Sequence, residues 1–147
     1  MSSQQKRILM VEDDELFRRS TARILSDDYL VDGVGTVGEA IAALKSSDPD
    51  LVMLDMMLPD RSGMELLRQL KKRPKRPPVI VLTAVDRVAT VVEAMREGAI
   101  NFLTKPLRYE ELLLSIEQAF HTSEMANEVE QRRNLQLDSN RRFQLLG

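Results

Sequence analysis

One recurring pattern constrains this chain more than any other. A short run of consecutive apolar residues ends on a polar residue able to do chemistry, and an amphipathic stretch follows. Val79-Ile80-Val81-Leu82 is the clearest run, and it ends on Thr83. Ile8-Leu9-Met10-Val11 ends on Glu12-Asp13-Asp14, and Leu51-Val52-Met53-Leu54 ends on Asp55. Ile100-Asn101-Phe102-Leu103 leads into Thr104-Lys105-Pro106. Unbroken apolar runs suit strands covered on both faces, because a strand with one wet face would alternate. Tyr29 to Val34 reads as a further, weaker strand.

The intervening stretches read as helices. From Glu15 to Leu25, the residues Leu16, Phe17, Ala22, Ile24 and Leu25 are interleaved with charges. Thr36 with Glu39, and Ser62 with Glu65, match the capping box in which a hydroxyl and a carboxylate satisfy the first free N–H groups. The first box opens a helix carrying Ala40, Ile41, Ala43 and Leu44, stopped by Asp48-Pro49-Asp50. The second opens one with Met64, Leu67 and Leu70 on its buried face, closed by Pro74, Pro77 and Pro78. Asp86 is the expected cap of a helix bearing Val88, Val91, Val92 and Met95, which stops at Gly98. A last helix begins near Arg108 with Leu112, Leu113, Ile116 and Phe120 on its apolar side. Five strands alternating with five helices imply an α/β fold, a parallel sheet wrapped on both faces by right-handed crossovers. The polar residues then gather at the carboxyl ends of the strands, the edge at which open α/β sheets bind ligands.

Composition removes several classes of function. The chain of 147 residues has no Cys, which excludes disulfides and thiolate metal sites and suits a reducing cytosol. A net charge of −2 gives no basis for direct nucleic-acid binding or for an anionic membrane surface. Glu12 and Asp13 interrupt the first apolar run well short of a signal peptide, and no run reaches transmembrane length. The expectation is a soluble, cytoplasmic protein.

Asp13 and Asp55 each lie just past an apolar strand. Two carboxylates facing one crevice repel unless a proton or a cation intervenes. Hard divalent cations prefer such oxygens, and Mg²⁺ takes only one or two protein carboxylates while keeping several waters. Taken singly, each acid is as readily a helix cap or a solvated loop residue. Lys105 changes the balance, because its ammonium can neutralise a carboxylate and then a phosphoryl oxygen. Lys105-Pro106 is the candidate cis peptide, X-Pro being the context in which that form is cheap. Thr83 offers one hydroxyl to the same oxygens; alone it would be an ordinary strand-end threonine.

With those residues in hand, four motifs in order resemble the receiver domains of bacterial two-component response regulators, over residues 6–122. They are Ile8-Leu9-Met10-Val11-Glu12-Asp13-Asp14, Leu54-Asp55-Met56-Met57-Leu58-Pro59, Val81-Leu82-Thr83-Ala84 and Phe102-Leu103-Thr104-Lys105-Pro106. The resemblance implies a flavodoxin-like sheet in the order 2-1-3-4-5. It implies Asp55 as phosphoacceptor and metal ligand, Asp13 as direct Mg²⁺ ligand, Glu12 as a ligand through water, and the backbone carbonyl of Met57 as the third protein ligand. Thr83 matches the switch hydroxyl, Phe102 the rotating aromatic and Lys105 the phosphoryl-binding lysine, while Asp14 is left as a cap or supporting group. The donor implied is a histidine kinase; His121, on the last helix, is an exposed residue rather than a donor. Such a domain is not a turnover enzyme: it catalyses only its own phosphorylation and slow dephosphorylation. Slowness is expected because Met57 and Val85 are apolar where the family often carries polar side chains that position water.

Residues 123–147 differ in character, with Glu124, Glu128, Glu130, Arg132, Arg133, Arg141 and Arg142 among sparse apolar residues. Heptad frames from Leu112 or Leu113 soon meet polar positions, so a charged helical linker or tail fraying beyond Leu137 is expected rather than a coiled coil. Arg142-Phe143-Gln144-Leu145-Leu146-Gly147 resembles the junction ahead of the ATPase domain in nitrogen-regulator-type activators of sigma-54 transcription. That implies an output module, ATPase plus DNA-binding domains, missing from this chain, which has no Walker motif, helix-turn-helix or cyclase signature of its own. An isolated regulator acting by protein contact, or as a homodimer, stays open. Three rivals fit less well. A flavodoxin-like cofactor module would carry a Ser/Thr/Gly phosphate loop where Glu12-Asp13-Asp14 stands. An aspartyl-phosphate hydrolase would have a carboxylate where Met57 stands. A degenerate scaffold would lack part of the set.

Overall fold

Consecutive residues of the apolar runs serve opposite faces of one sheet. In the computed structural model, which describes residues 5–84, 87–123 and 125, the strands are β1 (Lys6–Val11), β2 (Tyr29–Val34), β3 (Leu51–Asp55), β4 (Val79–Thr83) and β5 (Asn101–Thr104). Between them run α1 (Glu15–Leu25), α2 (Val37–Ser46), α3 (Gly63–Lys71) and α4 (Val88–Arg96), and helix α5 covers residues 109–123. All pairings are parallel, in the order β2-β1-β3-β4-β5. Leu9, Val11, Val52, Leu54, Val79 and Val81 form one core with Ala40 and Leu44 of α2, Leu66 and Leu70 of α3, and Ala94 of α4. Ile8, Met10, Leu51, Met53, Ile80 and Leu82 form the other with Leu25 of α1 and with Leu112 and Ile116 of α5. A strand's period of two delivers this split only if both faces are covered, as the unbroken runs required.

Helix starts follow the sequence with adjustments. Asp14 is the N-cap of α1 and accepts from Phe17 N–H at 3.1 Å; Thr36 caps α2 and accepts from Glu39 N–H at 3.0 Å. Ser62 caps α3, but its hydroxyl accepts from Met64 N–H, and the Glu65 carboxylate turns to Arg61 instead of closing the box. The N-cap position of α4 is Arg87, with no side-chain cap bond; Asp86, expected in that role, lies outside the described residues. The apolar stripes of α1 and α4 are narrower than the sequence suggested. Leu25 is buried but Leu16 and Ile24 are exposed; Val91 and Ala94 face the core whereas Val92 and Met95 are exposed. Residues three or four apart share a helix face, so an apolar neighbour one position along points elsewhere. Among the described residues no helix is long and apolar enough to cross a membrane. Residues 126–147, expected as a charged extension, lie outside the described residues.

Candidate functional site

Because parallel strands all point the same way, the residues ending β1, β3, β4 and β5 meet at one rim. Glu12, Asp13, Asp14, Asp55, Met57, Thr83, Arg87, Thr90 and Lys105 line a cleft of about 370 Å³ there. One carboxylate oxygen from each of Glu12, Asp13 and Asp55 lies within 4.8 Å of the others. Glu12 is 1% exposed and Asp55 7%, whereas Asp13 faces solvent. Lys105, from the far edge of the sheet, donates from Nζ to Glu12 Oε2 at 2.6 Å and to Asp55 Oδ2 at 2.8 Å. Its peptide bond to Pro106 is cis. The Lys105 ammonium also lies 4.6 Å from the ring centroid of Phe17, which shields one side of the ion pairs from water.

Electrostatics follow from this crowding. Burial raises the Glu12 pKa most; the hydrogen bond from Lys105 opposes that, the Asp55 carboxylate adds to it, and the result is about 7 against an ordinary 4.5. For Lys105 burial pulls downward, but the hydrogen bonds and charges of Asp55 and Glu12 outweigh it and hold the ammonium above its ordinary value. Lys105 is thus hydrogen-bonded to two of three crowded carboxylates whose like charges repel one another. An all-oxygen donor set of that kind fits a hard divalent cation and no soft one.

The surrounding loops hold these groups in place. Met57 N–H donates to Asp55 Oδ1 at 2.9 Å, and Met57 pairs with Ser62 in an isolated bridge that folds the loop after β3 back on itself. Gly63 is required where that loop enters α3: a Cβ there would sit 2.9 Å from Met56 Cα and 3.0 Å from the Asp55 carbonyl oxygen. The Met57 side chain is 57% exposed at the mouth of the cleft. Thr83 is buried, and its hydroxyl donates to the carbonyl of Ala84 at 3.2 Å rather than to any carboxylate. Phe102, in β5, is 42% exposed. His121 is exposed on α5, beside the start of β5. Val85 lies outside the described residues.

Two residues that sequence reasoning passed over belong to this region. Asp60, on the loop after β3, accepts at 3.0 Å from the N–H groups of both Val37 and Gly38 at the start of α2. Arg18 donates from Nη1 to the carbonyl of Glu12 at 2.7 Å. Nothing local marks Asp60, since its partners are more than twenty residues away. Gly33 and Gly35 flanking Val34 were the available clue to Arg18, because its side chain lies against both.

Residues 8–117 match the response regulator receiver domain family. The chain is 42% identical over 108 residues to the response regulator MprA of Mycolicibacterium vanbaalenii, covering 73% of this chain and 47% of that protein. It is 36% identical over 104 residues to the regulatory protein LuxO of Vibrio cholerae, covering 70% of this chain and 23% of that one. The crystal structure of NtrX from Brucella abortus superposes with a TM-score of 0.83 at 33% identity, covering 88% of this chain and 30% of that chain. The chain therefore spans less than half the length of the curated relatives it matches.

Proposed function

The chain belongs to the response regulator receiver domain family, and from that premise we propose that it is a switch set by a phosphoryl group on Asp55. Signalling that depends on phosphorylation is the business of the family. The particular chemistry rests on one observation: the Lys105 ammonium bridges Glu12 and Asp55 within a cluster of three carboxylates at the strand ends. A carboxylate oxygen of Asp55 attacks phosphorus, the bond from phosphorus to the imidazole nitrogen of a histidine kinase breaks, and the imidazole leaves with its electron pair and takes up a proton. Positioning and charge neutralisation carry most of such a transfer. Asp13 and Asp55, the Met57 carbonyl, and Glu12 through water would hold Mg²⁺, which when bound neutralises negative charge on the transferring group. Lys105 exchanges its carboxylate partners for a phosphoryl oxygen.

The phosphoryl group replaces a single negative charge by roughly −1.5 to −2 and adds acceptor oxygens. The Thr83 hydroxyl, which donates to the neighbouring Ala84 carbonyl, turns to one of them. Phe102 swings inward into the space that Thr83 vacates, and α4 and β5 adjust. This is a shift between two packings, driven by the better fit of the phosphoryl group to one of them. Met57 offers no polar group to orient a water for hydrolysis, so the phosphoryl group is lost slowly. In this reading the protein works in the cytoplasm, and residues 123–147 form a linker toward an output module that regulates transcription. The limited share of MprA, LuxO and NtrX matched by the chain supports that part.

Incubation with acetyl phosphate and Mg²⁺, followed by intact mass, tests the chemistry. The chain is expected to gain one phosphoryl group and to lose it over minutes rather than seconds; chelation of Mg²⁺ and Asp55→Asn are each expected to abolish the gain. An unchanged gain in Asp55→Asn would refute the assignment.

A further inference from the structure

We propose that Arg18 is a positioning residue for the cation site, acting through the peptide that joins Glu12 to Asp13. The inference rests on the reading of those acids as the ligands of Mg²⁺. Glu12 lies one residue past the end of β1, where regular ladder pairing stops. Its N–H still donates to the Val34 carbonyl at 2.9 Å. Its own carbonyl, which belongs to the peptide carrying Asp13, receives the Arg18 guanidinium at 2.7 Å. A charge-assisted bond of that length fixes the peptide plane, and with it the direction in which the Asp13 Cα presents its carboxylate.

The route of the Arg18 side chain is built into β2. A Cβ at Gly33 would lie 2.6 Å from Arg18 Cδ and 2.7 Å from Cγ, so the stem occupies the volume a larger residue would take. At Gly35 a Cβ would lie 3.4 Å from Arg18 Nη1 and 3.9 Å from both the Glu12 carbonyl oxygen and Asp13 Cα. The two glycines thus leave a slot from the surface of β2 to the peptide between the two acids, and the guanidinium brings a positive charge to the rim of a carboxylate cluster. Arg18 touches neither carboxylate in this arrangement, which makes its effect one of orientation.

Calorimetric titration of the chain with Mg²⁺, beside metal-free thermal melts, tests this. Arg18→Ala is expected to weaken Mg²⁺ binding about tenfold, the lower end of what removing a supporting hydrogen bond costs a metal site. The metal-free melting temperature should move little, and Arg18→Lys should recover part of the affinity, since an ammonium can still reach a carbonyl. Gly33→Ala, which evicts the stem, should weaken binding to a similar extent, and Arg18→Ala/Gly33→Ala should be no weaker than either alone. Wild-type affinity in Arg18→Ala, additive losses in the double variant, or a collapse of the metal-free fold on removal of Arg18 would each overturn the role. A wild-type chain that binds no Mg²⁺, or binds it equally well as Asp13→Asn, would instead bring down the site reading on which the role rests.

Discussion

The two sides of the rim are built differently. On the β1–β3 side Glu12, Asp55 and Asp60 each have two or more fixed partners. Glu12 accepts from Lys105 and from Asp14 N–H, its carbonyl from Arg18; Asp55 accepts from Lys105 and Met57 N–H; Asp60 ties the following loop to α2. On the β4–β5 side, among the described residues, the Thr83 hydroxyl donates to the next carbonyl, α4 begins without a side-chain cap bond, and Val92, Met95 and Phe102 are exposed. A group held from several directions is preorganised and cheap to use. A segment held by few contacts is cheap to move. The contrast fits the proposed reading, in which one side binds and the other responds.

The largest effect is expected at Lys105. Lys105→Ala removes the cation bridging the fixed side, and phosphorylation by acetyl phosphate is expected to slow roughly a hundredfold, while Mg²⁺ still binds. Single-turnover mass measurements would check the rate, and a change of less than a few-fold would deny Lys105 its place. Next comes Gly63→Ala. The two nearest contacts that a new Cβ would meet are backbone atoms of Met56 and Asp55, so the loop must shift, at about 1–3 kcal/mol of stability. Urea denaturation measures that cost.

A smaller effect sharpens the picture at Asp60. The N–H groups at the start of α2, Gly38 first, hold its carboxylate below the usual aspartate range, and the sign follows from linkage. A depressed carboxylate stabilises the fold above its unfolded value, and that stabilisation is lost as pH falls through the lower folded value. Asp60→Asn should therefore melt at a lower temperature than the wild type near neutrality, with the gap closing in acid; thermal melts across pH read this directly. The smallest change in stability belongs to Phe102→Leu, under about 1 kcal/mol for so exposed a side chain. The same variant should blunt the rise in hydrogen exchange of α4 and β5 on phosphorylation. A response equal to the wild type would place the moving element elsewhere.

How legible the molecule was depended on the distance over which its contacts act. The strand runs, the Asp14 and Thr36 caps and the acids ending β1 and β3 could be read in the sequence, because each is set by residues within one or two turns. The width of the buried stripes on α1 and α4 could not, since an apolar residue at the edge of a stripe is buried only if a neighbouring element reaches it. Val92 and Leu16 have no such cover. The candidate site was legible as a set of residue types at the carboxyl ends of parallel strands. Its supporting shell was not: Asp60 and Arg18 carry no local signature.

By itself, then, the order of apolar runs and amphipathic stretches determined a parallel sheet covered on both faces, and the residues ending those runs determined what chemistry its rim could hold. Only the tertiary structure decided that Lys105 lies on both Glu12 and Asp55, that Asp60 closes onto α2, and that Arg18 threads past Gly33 to the Glu12 carbonyl. The physical reason is range. Periodicity and capping act between near neighbours along the chain, whereas these contacts depend on which strands lie side by side and in what register, and that is set by packing of the whole domain.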